Sequence, residues 1–308
     1  IPSVASSDES ILWMGNTALA LGVIDSGIRF FSGYPITPAS SIMHLLATKF
    51  SSYGGVLHQA EDEISAIGAA IGAYYTGMPA ITATSGPGLS LKQEFIGLTM
   101  SSELPCIVVN VQRGGPSTGL PTRTEQSDLF ASIFGSHGDA TKVVLSVGDV
   151  EDCFYVPHIA RYITETLKVP VIILSDYITS VSYKVLEKLP LVMMSESQEI
   201  PSFILDRFFM GTLPEHVEMV KDNQSLPGEP DKMRRITGLN TDNTGNVVYS
   251  AESNQRSHKI RNEKIHHVRR ALREPEIIGD SDGDLLIVSW GSSRGVLLES
   301  IERCQQKG

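Results

Sequence analysis

Three carboxylates, one guanidinium and a set of hydroxyls stand where acid–base and anion-binding chemistry is possible. Glu61-Asp62-Glu63 is an acidic triplet, and a sheltered carboxylate can hold or move a proton. Arg113 opens the run Arg113-Gly114-Gly115-Pro116-Ser117-Thr118-Gly119-Leu120-Pro121-Thr122. Its planar fork can grip a carboxylate bidentately, with Ser117, Thr118 or Thr122 adding hydrogen bonds. Gly33-Tyr34-Pro35-Ile36-Thr37-Pro38 sets a hydroxyl between two prolines. These hold Tyr34 and Thr37 extended and make Thr37 a candidate N-cap, and the free N–H groups of a first helical turn attract anions. In Gly86-Pro87-Gly88 the glycines permit positive φ and leave bare backbone for a flat ligand. Each pattern also has a plain structural use, as a capped turn, a tight turn or a surface loop.

The elements that must position these groups alternate in type. An apolar run over 28–32 predicts a buried strand, and a helix opens near Ser40. Before it, Ser6-Ser7-Asp8-Glu9 resembles a helix start, and an apolar stripe predicts a helix over 11–24. A short strand over 56–59 leads to a helix over 61–75 rich in Ala and Gly. A strand over 79–85, the Gly86-Pro87-Gly88 turn, a helix over 89–102 and a strongly apolar strand over 104–112 follow. A further cycle covers 128–135, 142–146, a helix over 150–166 and a strand over 169–174. This βαβ spacing predicts an α/β fold, a doubly wound parallel sheet, over residues 1–188. Ligands of such sheets bind outside the carboxyl ends of the strands. Thr37, the acidic triplet, Gly86 to Gly88 and Arg113 to Thr122 all follow strands, and so share one rim.

From 189 to 275 prolines interrupt a weakly periodic segment, read as a connector with a turn or hairpin near 237–249 and a basic helix over 257–273 whose charges could grip phosphate but more often form a solvated face. From 276 to 308 a buried strand over 284–290, a turn and a helix over 294–304 predict the start of a second α/β domain. Both ends are expected to be cut from a longer polypeptide.

Composition sets bounds on function. The 308 residues are 41% hydrophobic, with a formal charge of −10 and a pI near 5.3. That balance argues against a nucleic-acid surface, no apolar stretch approaches the ~20 residues of a membrane span, and a cytoplasmic protein is expected. Cys106, Cys153 and Cys304 lie far apart without a C-x-x-C pair, so any iron–sulfur cluster belongs to another chain. Cys106 reads as a buried reduced thiol and the other two as structural. His266 and His267 are adjacent, which disfavours metal ligation, and no metal site is expected here. Asn223-Gln224-Ser225 fits a glycosylation sequon by chance. Neither G-x-G-x-x-G nor a Walker A run occurs.

In order, Gly33-Tyr34-Pro35-Ile36-Thr37-Pro38, Glu63 before an Ala/Gly helix, Thr84-Ser85-Gly86-Pro87-Gly88, Gln112-Arg113-Gly114-Gly115-Pro116-Ser117-Thr118-Gly119 and Ile236-Thr237-Gly238-Leu239 form a specific set. With it the chain resembles, over nearly its whole length, the alpha subunit of 2-oxoacid:ferredoxin oxidoreductases of the 2-oxoglutarate type. The resemblance implies a thiamine-diphosphate pyrimidine-binding domain followed by a transketolase C-terminal-like domain. It implies that Glu63 hydrogen-bonds the cofactor's aminopyrimidine N1′, favouring the imino tautomer that deprotonates thiazolium C2, and that Thr37 lies at the reacting end. Pro35, Ile36, Gly86 and Gly88 then contact the cofactor, while Arg113, Thr122, Ser117 and Thr118 bind the oxo acid. Diphosphate, Mg²⁺ and a [4Fe–4S] cluster are implied for a beta subunit, with coenzyme A as co-substrate, ferredoxin as electron acceptor, and a gamma domain fused or separate. Two other classes stay open: a non-catalytic assembly subunit, and a non-redox thiamine-dependent carboligase or decarboxylase, which the Ser-Gly-Pro-Gly run also suits. With only half a site implied on this chain, the purified chain alone is expected to bind thiamine diphosphate poorly, which equilibrium dialysis checks.

Overall fold

A strand buried at every position needs helices on both faces of its sheet, and three strands of this chain have that character. The computed structural model describes residues 10–187, 192, 200–220, 225–230, 233, 235–242, 244–279, 282 and 284–306. In chain order the elements are β1 (Ser10–Met14), α1 (Gly15–Asp25), β2 (Phe30–Gly33), α2 (Ser40–Lys49), β3 (Val56–Gln59), α3 (Glu63–Tyr75), β4 (Ala80–Thr84), α4 (Gly86–Ser102) and β5 (Cys106–Gln112). They continue with α5 (Leu129–Phe134), β6 (Val143–Ser146), α6 (Val150–Leu167), β7 (Pro170–Asp176), α7 (Tyr177–Val181), β8 (Tyr183–Glu187), α8 (Ser202–Phe208), α9 (Ala251–Ala271) and α10 (Ser293–Gln305).

Six strands form one parallel sheet in the order β3-β2-β4-β5-β7-β6. The chain steps from β2 outward to β3, then returns to place β4 on the other side of β2. That reversal is the switch point at which doubly wound sheets open a crevice. The expected sheet is therefore present, and β4, β5 and β7 are its fully buried strands. On one face α1 lies against α6 so closely that a Cβ on Gly22 would stand 2.1 Å from the Phe154 main-chain oxygen. Glycine is the residue that permits that approach.

Several sequence expectations are corrected. Residues 10–14 are not helical: β1 pairs antiparallel with β8, and Trp13 turns inward edge-on to Phe154 at 5.5 Å. Four apolar residues in a row, Ile11 to Met14, carry no period able to separate strand from helix, and the cross-strand partner decides. Thr37 does not cap α2; the cap position falls on Ala39, in αR geometry without a side-chain cap, and the Thr37–Pro38 peptide is cis. Gly86-Pro87-Gly88 is not a turn with positive φ but the first turn of α4, where proline tolerates the missing N–H. Residues 284–290 form no strand, and Leu285, Leu286 and Val288 are 80%, 83% and 86% exposed, because no described residue offers them a pairing edge. Cys106 and Cys153 are buried but Cys304 is exposed, so a packing role fits only the first two. The expected helix start over 6–9, Leu189 and Pro190 at the connector boundary, and Asn223-Gln224 of the sequon lie outside the described residues.

The basic helix is more than a solvated face. α9 buries Ile260, Val268 and Ala271, and Lys264 Nζ reaches Glu103 Oε1 at 2.6 Å with both side chains 1% exposed. Burial pushes the Lys264 ammonium down and Glu103 opposes that shift. Glu103, at the left-handed C-cap of α4, also accepts from the Val220 N–H at 2.9 Å. Ile204, Phe209 and Leu213 join the same core from the segment between the sheet and α9. The hairpin near 237–249 is present as a bridge from Thr241 to Val247, with the Asp242 carboxylate accepting from the Thr244 and Asn246 N–H groups. Losing one partner of a buried ion pair strands the other charge, so Lys264→Met is expected to cost about 3–5 kcal/mol in denaturant unfolding. Adding Glu103→Gln is expected to recover more than half of that loss.

Candidate functional site

The carboxyl ends of β2, β3, β4 and β5 bring four loops to one rim. After β3, Asp62 caps α3 by accepting the Ser65 N–H at 2.7 Å, and Glu63 then begins the helix. Glu63 is 7% exposed, whereas Glu61 is exposed. A carboxylate is rarely that buried without compensation. Its space comes from α4: a Cβ on Gly88 would lie 2.0 Å from Thr84 Oγ1 and 2.8 Å from Glu63 Oε1. One turn further on, the fully buried Lys92 donates from Nζ to the Glu63 main-chain oxygen at 2.7 Å. Burial pushes the Lys92 ammonium down to about 8, with Glu63 as the chief opposing charge.

From the end of β5, Arg113 is buried and donates from Nη1 to the Thr37 main-chain oxygen at 2.6 Å. It thereby ties the β5 loop to the elbow after β2. Burial lowers the guanidinium's proton affinity and the Glu63 charge opposes the change. Arg113 Nε is a buried donor without a hydrogen-bond partner among the described residues. The elbow is also held from α1, where Asn16 Nδ2 donates to the Pro38 oxygen at 2.9 Å and to Ser41 Oγ at 2.8 Å. Thr37 and Pro35 remain exposed, and Ile36 packs against the core.

The Arg113 loop is pinned at its base. Gly114 donates to the Arg123 oxygen at 2.9 Å, Gly119 to the Pro116 oxygen at 3.1 Å, and Gly115 to Glu125 Oε2 at 3.0 Å. The Gly115 N–H and the Ser127 side chain hold the Glu125 carboxyl below the usual carboxylate range. Ser117, Thr118 and Thr122 are exposed on this loop, available to a ligand rather than gathered into the buried group. Gly86 borders a second carboxylate: its Cβ would stand 3.0 Å from Asp128 Oδ2, which accepts from Asn110 Nδ2 at 2.9 Å. Burial pushes the Asp128 carboxyl up and the Asn110 hydrogen bond opposes it. At the end of β7, Asp176 Oδ2 accepts from Gln126 Nε2 at 3.1 Å and from the Ser292 N–H at 3.2 Å, clasping the turn before α10 to the rim.

The structure thus gathers Glu63, Gly88, Arg113 and the Thr37 backbone. Sequence reasoning missed Lys92, Asn110 and Asp128, and it quoted Gln112 only as the start of the Arg113 run, whereas Gln112 Oε1 accepts from the Asp128 N–H at 3.1 Å. Signals for them exist: Lys92 stands four residues after Gly88, hence on the same helix face, and Asn110 and Gln112 recur at period two in an otherwise apolar strand. The assembly offers a proton-holding carboxylate beside bare backbone, with a guanidinium on the same rim.

The profile of the pyruvate flavodoxin/ferredoxin oxidoreductase thiamine-diphosphate-binding family matches residues 21–224. The 2-oxoglutarate oxidoreductase subunit KorA of Mycobacterium tuberculosis is 36% identical over 311 residues, 96% of this chain and 45% of that protein. The 2-oxoglutarate synthase subunit KorA of Methanothermobacter marburgensis is 34% identical over 97% of this chain and 79% of that protein. A solved structure of 2-oxoglutarate:ferredoxin oxidoreductase from Magnetococcus marinus with 2-oxoglutarate, coenzyme A and succinyl-CoA bound superposes with a TM-score of 0.84 at 39% identity, over 97% of this chain and 52% of that one. The chain spans about half the length of the first and last of these.

Gly88→Ala is expected to destabilise the fold by about 1–3 kcal/mol, as overpacking does, and to push the Glu63 side chain from its place. Denaturant unfolding reads the first effect and a structure of the variant the second.

Proposed function

The chain belongs to the pyruvate flavodoxin/ferredoxin oxidoreductase family through its thiamine-diphosphate-binding domain, and from that premise we propose that it is the alpha subunit of a 2-oxoacid:ferredoxin oxidoreductase, with 2-oxoglutarate the favoured substrate. The proposed reaction joins a 2-oxo acid and coenzyme A into an acyl-CoA, releasing CO₂ and one proton and passing two electrons to ferredoxin. The observation that carries this reading is the buried Glu63 carboxylate, set against a position on α4 where no Cβ fits and coupled to Arg113 on the same rim.

The residues fit a thiamine diphosphate pyrimidine: Gly88 leaves bare backbone beside a buried carboxylate, and Arg113 Nε is a buried donor awaiting an acceptor. When bound, the cofactor supplies at C2 the electron sink that decarboxylation needs. Glu63 would hold the proton at the pyrimidine N1′ and keep water from it. Gly86, Gly88, Pro35 and Ile36 would line the cofactor, and Thr37 would present its hydroxyl at the reacting end. Arg113 would orient the substrate carboxylate, with Thr122, Ser117 and Thr118 adding hydrogen bonds. The diphosphate, Mg²⁺ and a [4Fe–4S] cluster fall to a beta subunit, so the site is shared between two chains, and a gamma domain is fused or separate. Residues 1–188 serve as the cofactor's pyrimidine domain, 189–275 as connector, and 276–308 as the beginning of a transketolase C-terminal-like domain. The working compartment is the cytoplasm.

The test is recovery of this chain with its partners from native extract, followed by thiamine, iron and sulfide assays and dye reduction dependent on both 2-oxoglutarate and coenzyme A. A thiamine- and cluster-bearing complex active only with both substrates supports the proposal; a stable complex without either group makes the chain an assembly subunit. In the active complex Glu63→Gln is expected to lower kcat by about 100-fold or more with assembly intact. Arg113→Met is expected to raise the KM for the oxo acid more than it lowers kcat.

A further inference from the structure

Lys92 has no part in the reaction proposed above, yet it is 0% exposed and stands on α4 one turn beyond Gly88, on the face turned toward Glu63. An ammonium removed from water is costly, and an apolar side chain of similar length would pack there without that cost. Its Nζ donates to the Glu63 main-chain oxygen at 2.7 Å, an acceptor in the first turn of α3, while Asp62 caps the same turn from its other end. We infer that Lys92 is a positioning residue for Glu63, fixing the first turn of α3 from α4 and offsetting the carboxylate's charge jointly with Arg113. The inference rests on the proposed role of Glu63.

The groups facing Lys92 are Glu63 and Asp62 from α3 and Cys106 from β5. Burial pushes the Cys106 thiol up to about 12, so it carries no charge near neutrality, and Arg113 acts on Glu63 from the end of β5. Burial also brings the Lys92 ammonium down to about 8 from an ordinary 10.5. As pH rises through about 8 the positive charge beside Glu63 is therefore lost while the amine still donates its hydrogen bond. Between about 8 and 10.5 the unfolded chain binds the proton that the folded chain has released, so this group's contribution to stability rises with pH across that window.

The experiment uses the assembled heteromer with thiamine diphosphate, without oxo acid or coenzyme A, and follows exchange of the cofactor's C2 proton for deuterium across pH 6–10. In the wild type the rate is expected to step down near pH 8. Lys92→Met is expected to exchange about tenfold or more slowly at pH 7, with no step near pH 8 and weaker cofactor binding by fluorescence titration. In the cofactor-free complex, the rise in melting temperature between pH 8 and pH 10 is expected to shrink in the variant. Lys92→Gln serves if the methionine variant does not fold. A folded variant with the wild-type rate and profile overturns the inference, as does a slower one that keeps the step. Glu63→Gln separates the two claims: if it abolishes exchange while Lys92→Met does not, the function stands and the positioning role falls. If Glu63→Gln exchanges normally, the reading of the site itself fails.

Discussion

A carboxylate taken out of water at the end of a strand is the constraint to which this fold is fitted. Glu63 is nearly buried, and such a charge persists only where neighbours replace its solvent. The replacement comes from separate segments. Asp62 fixes where the helix begins, Gly88 withholds a side chain, Lys92 brings a cation from behind and Arg113 brings another from the neighbouring loop. They come from three stretches of the chain: Asp62 beside Glu63, Gly88 and Lys92 one turn apart on α4, and Arg113 after β5. Only a parallel sheet whose strands all end at the same rim delivers them together.

Buried polar and charged contacts recur as a way of joining distant segments. Asp25 at the end of α1 meets His158 on α6 at 2.9 Å, and Arg161, paired with Glu165, reaches the Ser26 oxygen at 2.6 Å. Lys264 and Glu103 repeat the arrangement between α9 and α4. Such contacts tolerate few alternative arrangements, since any slip leaves a buried polar or charged group without its partner. They add little net stability beside apolar packing, but they fix which helix lies against which. The site inherits that rigidity, because α1 also holds the elbow after β2 through Asn16.

The fold was legible where local pattern and tertiary environment agree. The run Cys-Ile-Val-Val-Asn-Val-Gln of β5 is apolar enough to be a central strand and nothing else. The run over 285–288 is as apolar, yet it is exposed, since strand formation depends on a neighbour that sequence does not reveal. Thr37 looked like a cap because it precedes a proline before a helical pattern, but Ala39 already has helical geometry, which moves the boundary two residues on. Within the site, Glu63 and Arg113 could be singled out by position after strands. Lys92 could not, because a lone lysine in a helix is ordinarily solvated, and only its spacing from Gly88 sets it apart.

The clasp between Asp176 and the Ser292 backbone has a consequence for the nascent chain. Its two halves are separated by 116 residues, so at ribosomal rates of about 5–20 residues per second roughly 6–23 s pass between synthesis of one half and of the other. During that interval the parallel sheet can form, since its last strand, β7, ends at Asp176 itself. Synthesis therefore has a built-in order: the sheet and Glu63 emerge first, α9 with its lysine next, and the turn that touches the rim last.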